Sequence, residues 1–187
     1  RDKDSGEFVP STSLVDTTVG RDRYVLALSA SAERGRAIYA REGCAYCHTQ
    51  QVRDSSFTTD VARGWGSRPS VPADYFFDEP HLMGTMRTGP DLLNVGSRLP
   101  DPQWHLVHLY QPRALVPWSI MPAFPFLFEE KATAAQGERV LNLPKGHAPA
   151  GKVVVTTPDA DALVAYLLAL KRDFPLQAQA KAPASGG

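Results

Sequence analysis

The chain has 187 residues, a length that suffices for one domain with its own hydrophobic core. Hydrophobic residues make up 43% of the sequence and charged residues 21%, as in an ordinary globular protein. Lys plus Arg equals Asp plus Glu at 20 each, so the formal net charge is zero. The overall charge therefore gives no reason to expect nucleic acid or an anionic membrane as a partner.

The first part of the chain predicts a polar arm, one helix and a long loop. Residues 1–31 are polar and show no helical apolar period, so we expect an N-terminal arm or linker there. A helix is predicted next, with Ser31 as its N-cap and its end near Glu42, before Gly43. Glycine and proline recur over residues 49–87, which predicts an ordered loop with little regular structure.

The middle of the chain predicts a second helix and then a segment interrupted by prolines. Asp101 and Pro102 suit the N-cap and the first position of a helix that extends to Tyr110. Prolines over residues 111–128 exclude a helix interior, and a short helix is expected over residues 129–136.

The C-terminal part predicts an extended segment and a final helix. Residues 146–156 predict a turn followed by a valine-rich extended piece, and the role of residues 141–156 is left open. The last helix is predicted to begin at the N-cap Thr157, with Lys171 and Arg172 closing its negative end.

These elements predict a central domain over residues 32–174 and a disordered tail over residues 175–187. The longest apolar stretch, Ala162–Leu170, is about half of what a membrane-spanning helix requires. We therefore expect either a mature processed protein or a piece cut away from a membrane anchor.

The string Cys44-Ala45-Tyr46-Cys47-His48 is the attachment signature of a c-type haem. Two thiols separated by two residues can add to the two vinyl groups of one haem, and the next imidazole then lies beneath the iron as its proximal ligand. A thioredoxin-like dithiol would follow a strand, whereas a helix is predicted here. A zinc site would need a second pair of Cys or His ligands, and no such pair exists. We therefore predict one covalent haem c, with His48 on its iron.

The sixth iron ligand is predicted to be Met121. A buried methionine is more often core filler, but Met121 precedes Pro122 in an aromatic loop stiffened by prolines, and a weak thioether ligand benefits from a rigid loop. His81 is the second choice, whereas His105 and His108 are expected to be hydrogen-bonded at a helix surface. The other candidates for this position are Met83, Met86 and His147.

The dipeptide Gly89-Pro90 has two interpretations. The carbonyl of Pro90 can accept a hydrogen bond from the free ring N–H of an iron-bound histidine, which fixes the ring's orientation and basicity. Gly-Pro is also common in simple turns, and the sequence alone favours neither interpretation.

Together these segments resemble class I cytochromes c. Residues 32–49 and the final helix resemble the two ends of that fold, in which the first and last helices cross in close contact. The residues that fit the contact positions are Gly35, Tyr39 and Tyr166. The resemblance implies an all-α fold with long ordered loops around one haem. It also supports Pro90 as the acceptor for the histidine and Met121 as the sixth ligand.

The chain is most similar, among these cytochromes, to the mono-haem subunit (subunit II) of cbb3-type cytochrome c oxidases. The segments that carry the resemblance are Arg41–Gln50, Arg87–Leu92, Trp104–Arg113 and Met121–Pro125. Two carboxylates on a mostly buried haem need hydrogen-bond donors, and arginine offers a bidentate one. The candidates for holding the haem propionates are Arg98, Trp104, Tyr110 and Arg113. For each one singly, an exposed arginine or a packed aromatic ring is an equally good interpretation.

The resemblance implies single-electron transfer in a respiratory chain, without bond chemistry and without a catalytic residue. It favours the periplasmic domain of a terminal oxidase subunit, with donor cytochromes or other oxidase subunits as partners and no nucleic acid. The membrane would be reached only through those subunits or through an anchor missing from the chain. A free periplasmic electron shuttle, or a haem enzyme or gas sensor with an open sixth site, are the alternatives.

Overall fold

The computed structural model describes residues 28–75 and 78–173. The predicted tail and most of the predicted N-terminal arm lie outside the described residues, so the domain boundaries stay predictions. The helices are α1 (Ala30–Arg41), α2 (Cys44–Cys47), α3 (Val95–Arg98), α4 (Pro102–Tyr110) and α5 (Pro158–Ala169). The strands are β1 (Phe128–Lys131) and β2 (Val153–Thr156), and short 3₁₀ turns lie at Pro72–Tyr75, Pro112–Ala114 and Pro125–Leu127. Within the described residues, no helix is both long and apolar enough to cross a lipid bilayer.

The first helix begins two residues earlier than the sequence predicts. Ser29, not Ser31, has the extended backbone of an N-cap, and its hydroxyl accepts the N–H of Ala32 at 3.2 Å. The predicted end is close to the observed one, because α1 ends at Arg41 and Glu42 is its C-cap.

The N-caps predicted for α4 and α5 are confirmed. Asp101 accepts a backbone N–H of the first turn of α4 at 2.9 Å, and Thr157 does the same for α5 at 3.3 Å. However, α5 ends at Ala169, so the prediction that Lys171 and Arg172 close this helix is wrong. The Arg172 side chain is buried instead, among the residues that pack beneath the long loop.

The prediction of an all-α fold is wrong, because β1 and β2 pair as a two-stranded antiparallel sheet. The register places Lys131 opposite Val153, and Val154 is buried in the main core. The helix expected over residues 129–136 is therefore replaced by β1, while the extended piece expected within residues 146–156 is β2. Glu and Lys favour helix locally, but pairing with a distant run of β-branched valines overrides that preference.

The first and last helices cross in close contact, as the resemblance implies. A Cβ built on Gly35 would lie 1.9 Å from the carbonyl oxygen of Ala162, so only glycine allows the two backbones to approach this closely. Beside this point Tyr39 and Tyr166 pack edge to face with ring centroids 5.4 Å apart. The main hydrophobic core surrounds this crossing, and a smaller cluster lies under the long loop.

Gly35→Ala is expected to lower the free energy of unfolding by about 1–3 kcal/mol, the usual cost of overpacking, although alanine is the better helix former. The measurement is chemical denaturation followed by circular dichroism. Ala37→Ser is the control, since it adds one heavy atom on the exposed face of α1 and should cost less than about 0.5 kcal/mol. A Gly35→Ala protein as stable as the wild type would contradict the close crossing.

Candidate functional site

The two cysteines lie on α2, a single helical turn that follows α1 directly. Gly43 adopts a left-handed backbone conformation, with φ of 73°, between the two helices. Cys44 and Cys47 are free thiols, and both are half-buried. Burial raises the pKa of the Cys44 thiol to about 11, so this sulfur is protonated at neutral pH. A redox-active dithiol needs a lowered pKa and a preceding strand, so the thioredoxin-like interpretation has no support here.

The imidazole of His48 is held by one strong hydrogen bond. Its Nδ1 lies 2.7 Å from the carbonyl oxygen of Pro90. A carbonyl oxygen only accepts, so Nδ1 carries the proton and Nε2 carries the free lone pair. Burial lowers the pKa of His48, which keeps the ring neutral near pH 7. This is the protonation state and tautomer of a metal-ligating histidine.

Gly89 lies directly against the face of this ring. A Cβ built on Gly89 would stand 2.2 Å from Cε1 of His48, so any larger residue would displace the imidazole. The N–H of Gly89 donates to the carbonyl oxygen of Cys47 at 2.9 Å. The Gly-Pro dipeptide therefore fits both interpretations left open by the sequence: the chain bends there, and the proline carbonyl accepts a hydrogen bond from His48.

The three methionines lie in different environments. Met121 is half-buried and packs against the main core cluster, as does Cys44. Met83 packs against the separate cluster under the long loop, and the Met86 side chain is largely exposed. The N–H of Met121 donates to the hydroxyl of Ser119 at 3.2 Å, which adds one restraint to a segment already stiffened by prolines. Of the methionines, Met121 alone shares a core cluster with a cysteine of the haem motif.

The histidines considered as rival ligands are occupied or exposed. His81 is exposed and lies beside the ring of Tyr75. His147 is exposed as well. His105 is buried, and its Nε2 is 2.8 Å from the carbonyl oxygen of Leu99, so its predicted hydrogen bond is present but its predicted surface position is wrong.

The four propionate candidates are not equivalent in the structure. Arg98 is half-buried, burial lowers its pKa, and its Nε has no hydrogen-bond partner among the described residues. Trp104 is half-buried on the same side of α4 as His108, with the two rings stacked 4.7 Å apart. Tyr110 donates its hydroxyl proton to Glu130 at 2.9 Å. Arg113 is exposed.

His108 is the residue that sequence reasoning missed. The predicted surface hydrogen bond is absent, since its buried Nδ1 has no partner among the described residues. Burial, followed by the nearby His105 and His48, lowers the pKa of His108 to about 4. The available signal was Trp104, which lies one helical turn earlier and therefore on the same face of α4.

These residues fit a haem. The site combines two free thiols, a neutral imidazole with its Nε2 lone pair free, and a methionine on a restrained loop. Buried polar groups are normally satisfied, and the unpartnered Nε of Arg98 and Nδ1 of His108 leave hydrogen-bonding capacity that the polar edge of a haem could use. A metal ion held by protein ligands alone has no comparable support, because the described part of the chain contains no group of three or more His, Cys, Asp or Glu side chains suited to one.

Comparison with known families agrees with this geometry. The model of a family described as cytochrome C oxidase, mono-heme subunit/FixO, matches residues 6–148. The matched region contains the Cys-x-x-Cys-His string, the Gly-Pro dipeptide and the Met-Pro dipeptide. A comparison with curated proteins found no match.

Proposed function

The chain belongs to the family of mono-haem subunits of cytochrome c oxidase, and from this premise we propose that Cys44 and Cys47 bind its haem covalently while His48 and Met121 ligate the iron. Membership of the family implies one haem, electron transfer and other oxidase subunits as partners. The observation that carries the proposed ligation is the hydrogen bond of 2.7 Å between His48 and Pro90. It leaves Nε2 as the lone-pair nitrogen of a neutral, oriented ring.

The bound haem supplies a one-electron couple between ferrous and ferric iron. The chain's own part would be to hold His48 and Met121 in place and to limit their rearrangement between the two states. His48 is fixed by Gly89 and Pro90, and Met121 is restrained by Pro122 and Ser119. A thioether is a soft ligand that favours the reduced state, so a methionine at this position raises the reduction potential.

For the propionates, we propose Arg98 and Trp104 as the principal donors, with His108 facing the same region. Arg98 donates from Nη2 to the Asp91 carbonyl but has an unpartnered Nε, and the half-buried Trp104 stacks on His108. Tyr110 already donates to Glu130, and Arg113 is exposed, so these two would contribute only after a rearrangement.

The partner surface is proposed to be the segment that carries Met121. Residues 114–128 contain no charged side chain. Three large apolar side chains of this segment are exposed: Trp118 by 82%, Ile120 by 71% and Phe126 by 63%. An exposed apolar cluster of this kind is typical of the centre of a protein–protein interface. We propose another subunit of the same oxidase as its occupant, since the family is defined by that assembly.

We propose that the domain works on the periplasmic side of a respiratory membrane and passes electrons from a donor cytochrome toward the oxidase centre. The sequence of the complete gene distinguishes this proposal from the alternative, a free periplasmic carrier. An encoded apolar segment of about twenty residues before the haem motif favours the oxidase subunit, and a gene without one favours the carrier.

Met121→Ala tests the proposed iron ligation. The oxidised wild type is expected to show the weak near-infrared methionine-to-iron band, and its reduced form should not bind carbon monoxide at neutral pH. The variant should lose the band, bind carbon monoxide and have a lower reduction potential, because a soft ligand is removed. Met86→Ala is the matched control, since Met86 is exposed and should leave all three properties unchanged. A band that survives in Met121→Ala, or carbon monoxide binding by the wild type, would contradict the assignment.

The double variant Trp118→Ser, Phe126→Ser tests the partner surface. Electron transfer into the assembled oxidase is expected to slow by about tenfold or more, as for loss of interface anchors, while the reduction potential stays unchanged. Stopped-flow kinetics on the purified complex provides the rate. Phe57→Ser is the control, because Phe57 is 84% exposed but lies outside residues 114–128. Equal rates in the double variant and the control would rule out this surface as the contact.

A further inference from the structure

The carboxylate of Asp91 is completely buried, and the hydrogen bonds that it accepts come from the segment that follows the proximal histidine and from its own turn. Its Oδ2 accepts the hydroxyl of Thr49 at 2.6 Å and the N–H of Gln51 at 2.7 Å. Its Oδ1 accepts the N–H of Leu93 at 2.9 Å. A buried charge is costly unless it is paired and hydrogen-bonded, and these three donors meet that requirement in part.

Two arginines lie near Asp91. The Nη2 of Arg87 is 4.0 Å from Asp91 Oδ2, and the Nη2 of Arg98 donates to the backbone carbonyl of Asp91. The Nε of Arg87 donates a hydrogen bond to the Thr49 hydroxyl at 3.0 Å, so Thr49 accepts from Arg87 and donates to Asp91. The same guanidinium pairs with the buried Asp60 and lies over the ring of Trp65 at 5.2 Å. Two residues of the long loop therefore hold this arginine: Asp60 pairs with its charge, and Trp65 covers its guanidinium.

These contacts connect two short segments side by side. The N–H of Gly89 donates to the carbonyl of Cys47, and the N–H of Leu92 donates to the carbonyl of Thr49 at 2.8 Å. Between these two backbone bonds lies the hydrogen bond of His48 to Pro90. Thr49 follows His48, and Asp91 follows Pro90. The hydroxyl of Thr49 donates to the carboxylate of Asp91, so these next residues are joined as well.

We propose that the Arg87–Thr49–Asp91 chain is the positioning device that fixes the Pro90 carbonyl against His48 and thereby sets the basicity of the proximal histidine. A strong hydrogen bond from the Nδ1–H of His48 to the Pro90 carbonyl makes the imidazole a more basic ligand, and a more basic ligand favours ferric iron. Thr49 and Asp91 do not touch the iron; they act through Pro90. This inference rests on the proposed function, in which His48 is the proximal ligand.

Thr49→Val tests the device, because valine keeps the shape of threonine and removes the hydroxyl. In the haem-loaded protein, the Nδ1 proton of His48 should exchange with solvent about tenfold faster, as for the loss of one net hydrogen bond. The reduction potential should rise, because a weakened hydrogen bond makes the histidine less basic. Nuclear magnetic resonance of the reduced protein and a redox titration give the two quantities. Thr49→Ser should restore both, since it keeps the hydroxyl.

Thr88→Val is the matched control, since Thr88 is exposed in the neighbouring segment and its hydroxyl makes no hydrogen bond among the described residues. If Thr49→Val does not accumulate, Arg87→Gln replaces it and should shift both quantities in the same direction. A variant that unfolds more easily but keeps the wild-type exchange rate and potential would overturn the inference and leave a structural role. A reduced wild type in which the His48 ring signals are not shifted by the haem ring current would instead overturn the proposed ligation.

Discussion

The hydrogen bond between His48 Nδ1 and the Pro90 carbonyl joins two parts of the chain that are 42 residues apart. It fixes the tautomer and the orientation of the His48 imidazole, and the residues around Pro90 are arranged to leave room for that ring. Gly89 has to be glycine because the imidazole occupies the space of its side chain. Asp91 is buried beside it with a carboxylate that needs donors, and Thr49 supplies one of them. The long loop covers Arg87, which pairs with Asp60 of the loop and lies near this carboxylate.

Both segments joined by that hydrogen bond are docked on α5. The haem motif follows α1, whose Gly35 lies against the backbone of α5 near Ala162. The segment after Pro90 continues into α3, whose Gly96 donates its N–H to the carbonyl of Leu170 at 3.0 Å and would clash with Leu168 if it carried a Cβ. Two glycines thus bring two segments against one helix. These backbone contacts and the hydrogen bond of His48 to Pro90 act together to position the ring.

Features that depend on neighbours in the sequence could be predicted, and features that depend on distant pairing could not. The haem motif, the N-caps Asp101 and Thr157 and the interruption of helix by proline are local, and the structure has these caps and breaks as expected. The sheet was missed because the local sequence of β1 favours helix, and only its pairing with β2 makes it a strand. The Thr49–Asp91 bond was missed because it joins residues 42 positions apart. The unpartnered Nδ1 of the half-buried His108 was missed because its burial depends on the assembled core. A buried polar residue is seen as such only when the whole core is assembled.

The central claim is that one haem is joined covalently to the string that ends in His48. Acid–acetone extraction of the purified, exported protein, followed by intact mass determination of the polypeptide, tests it most directly. The account predicts that the haem stays with the chain and adds the mass of one haem, and that Cys44→Ser, Cys47→Ser abolishes this addition. Haem that leaves the wild-type chain on extraction, or a polypeptide mass without haem, would contradict it.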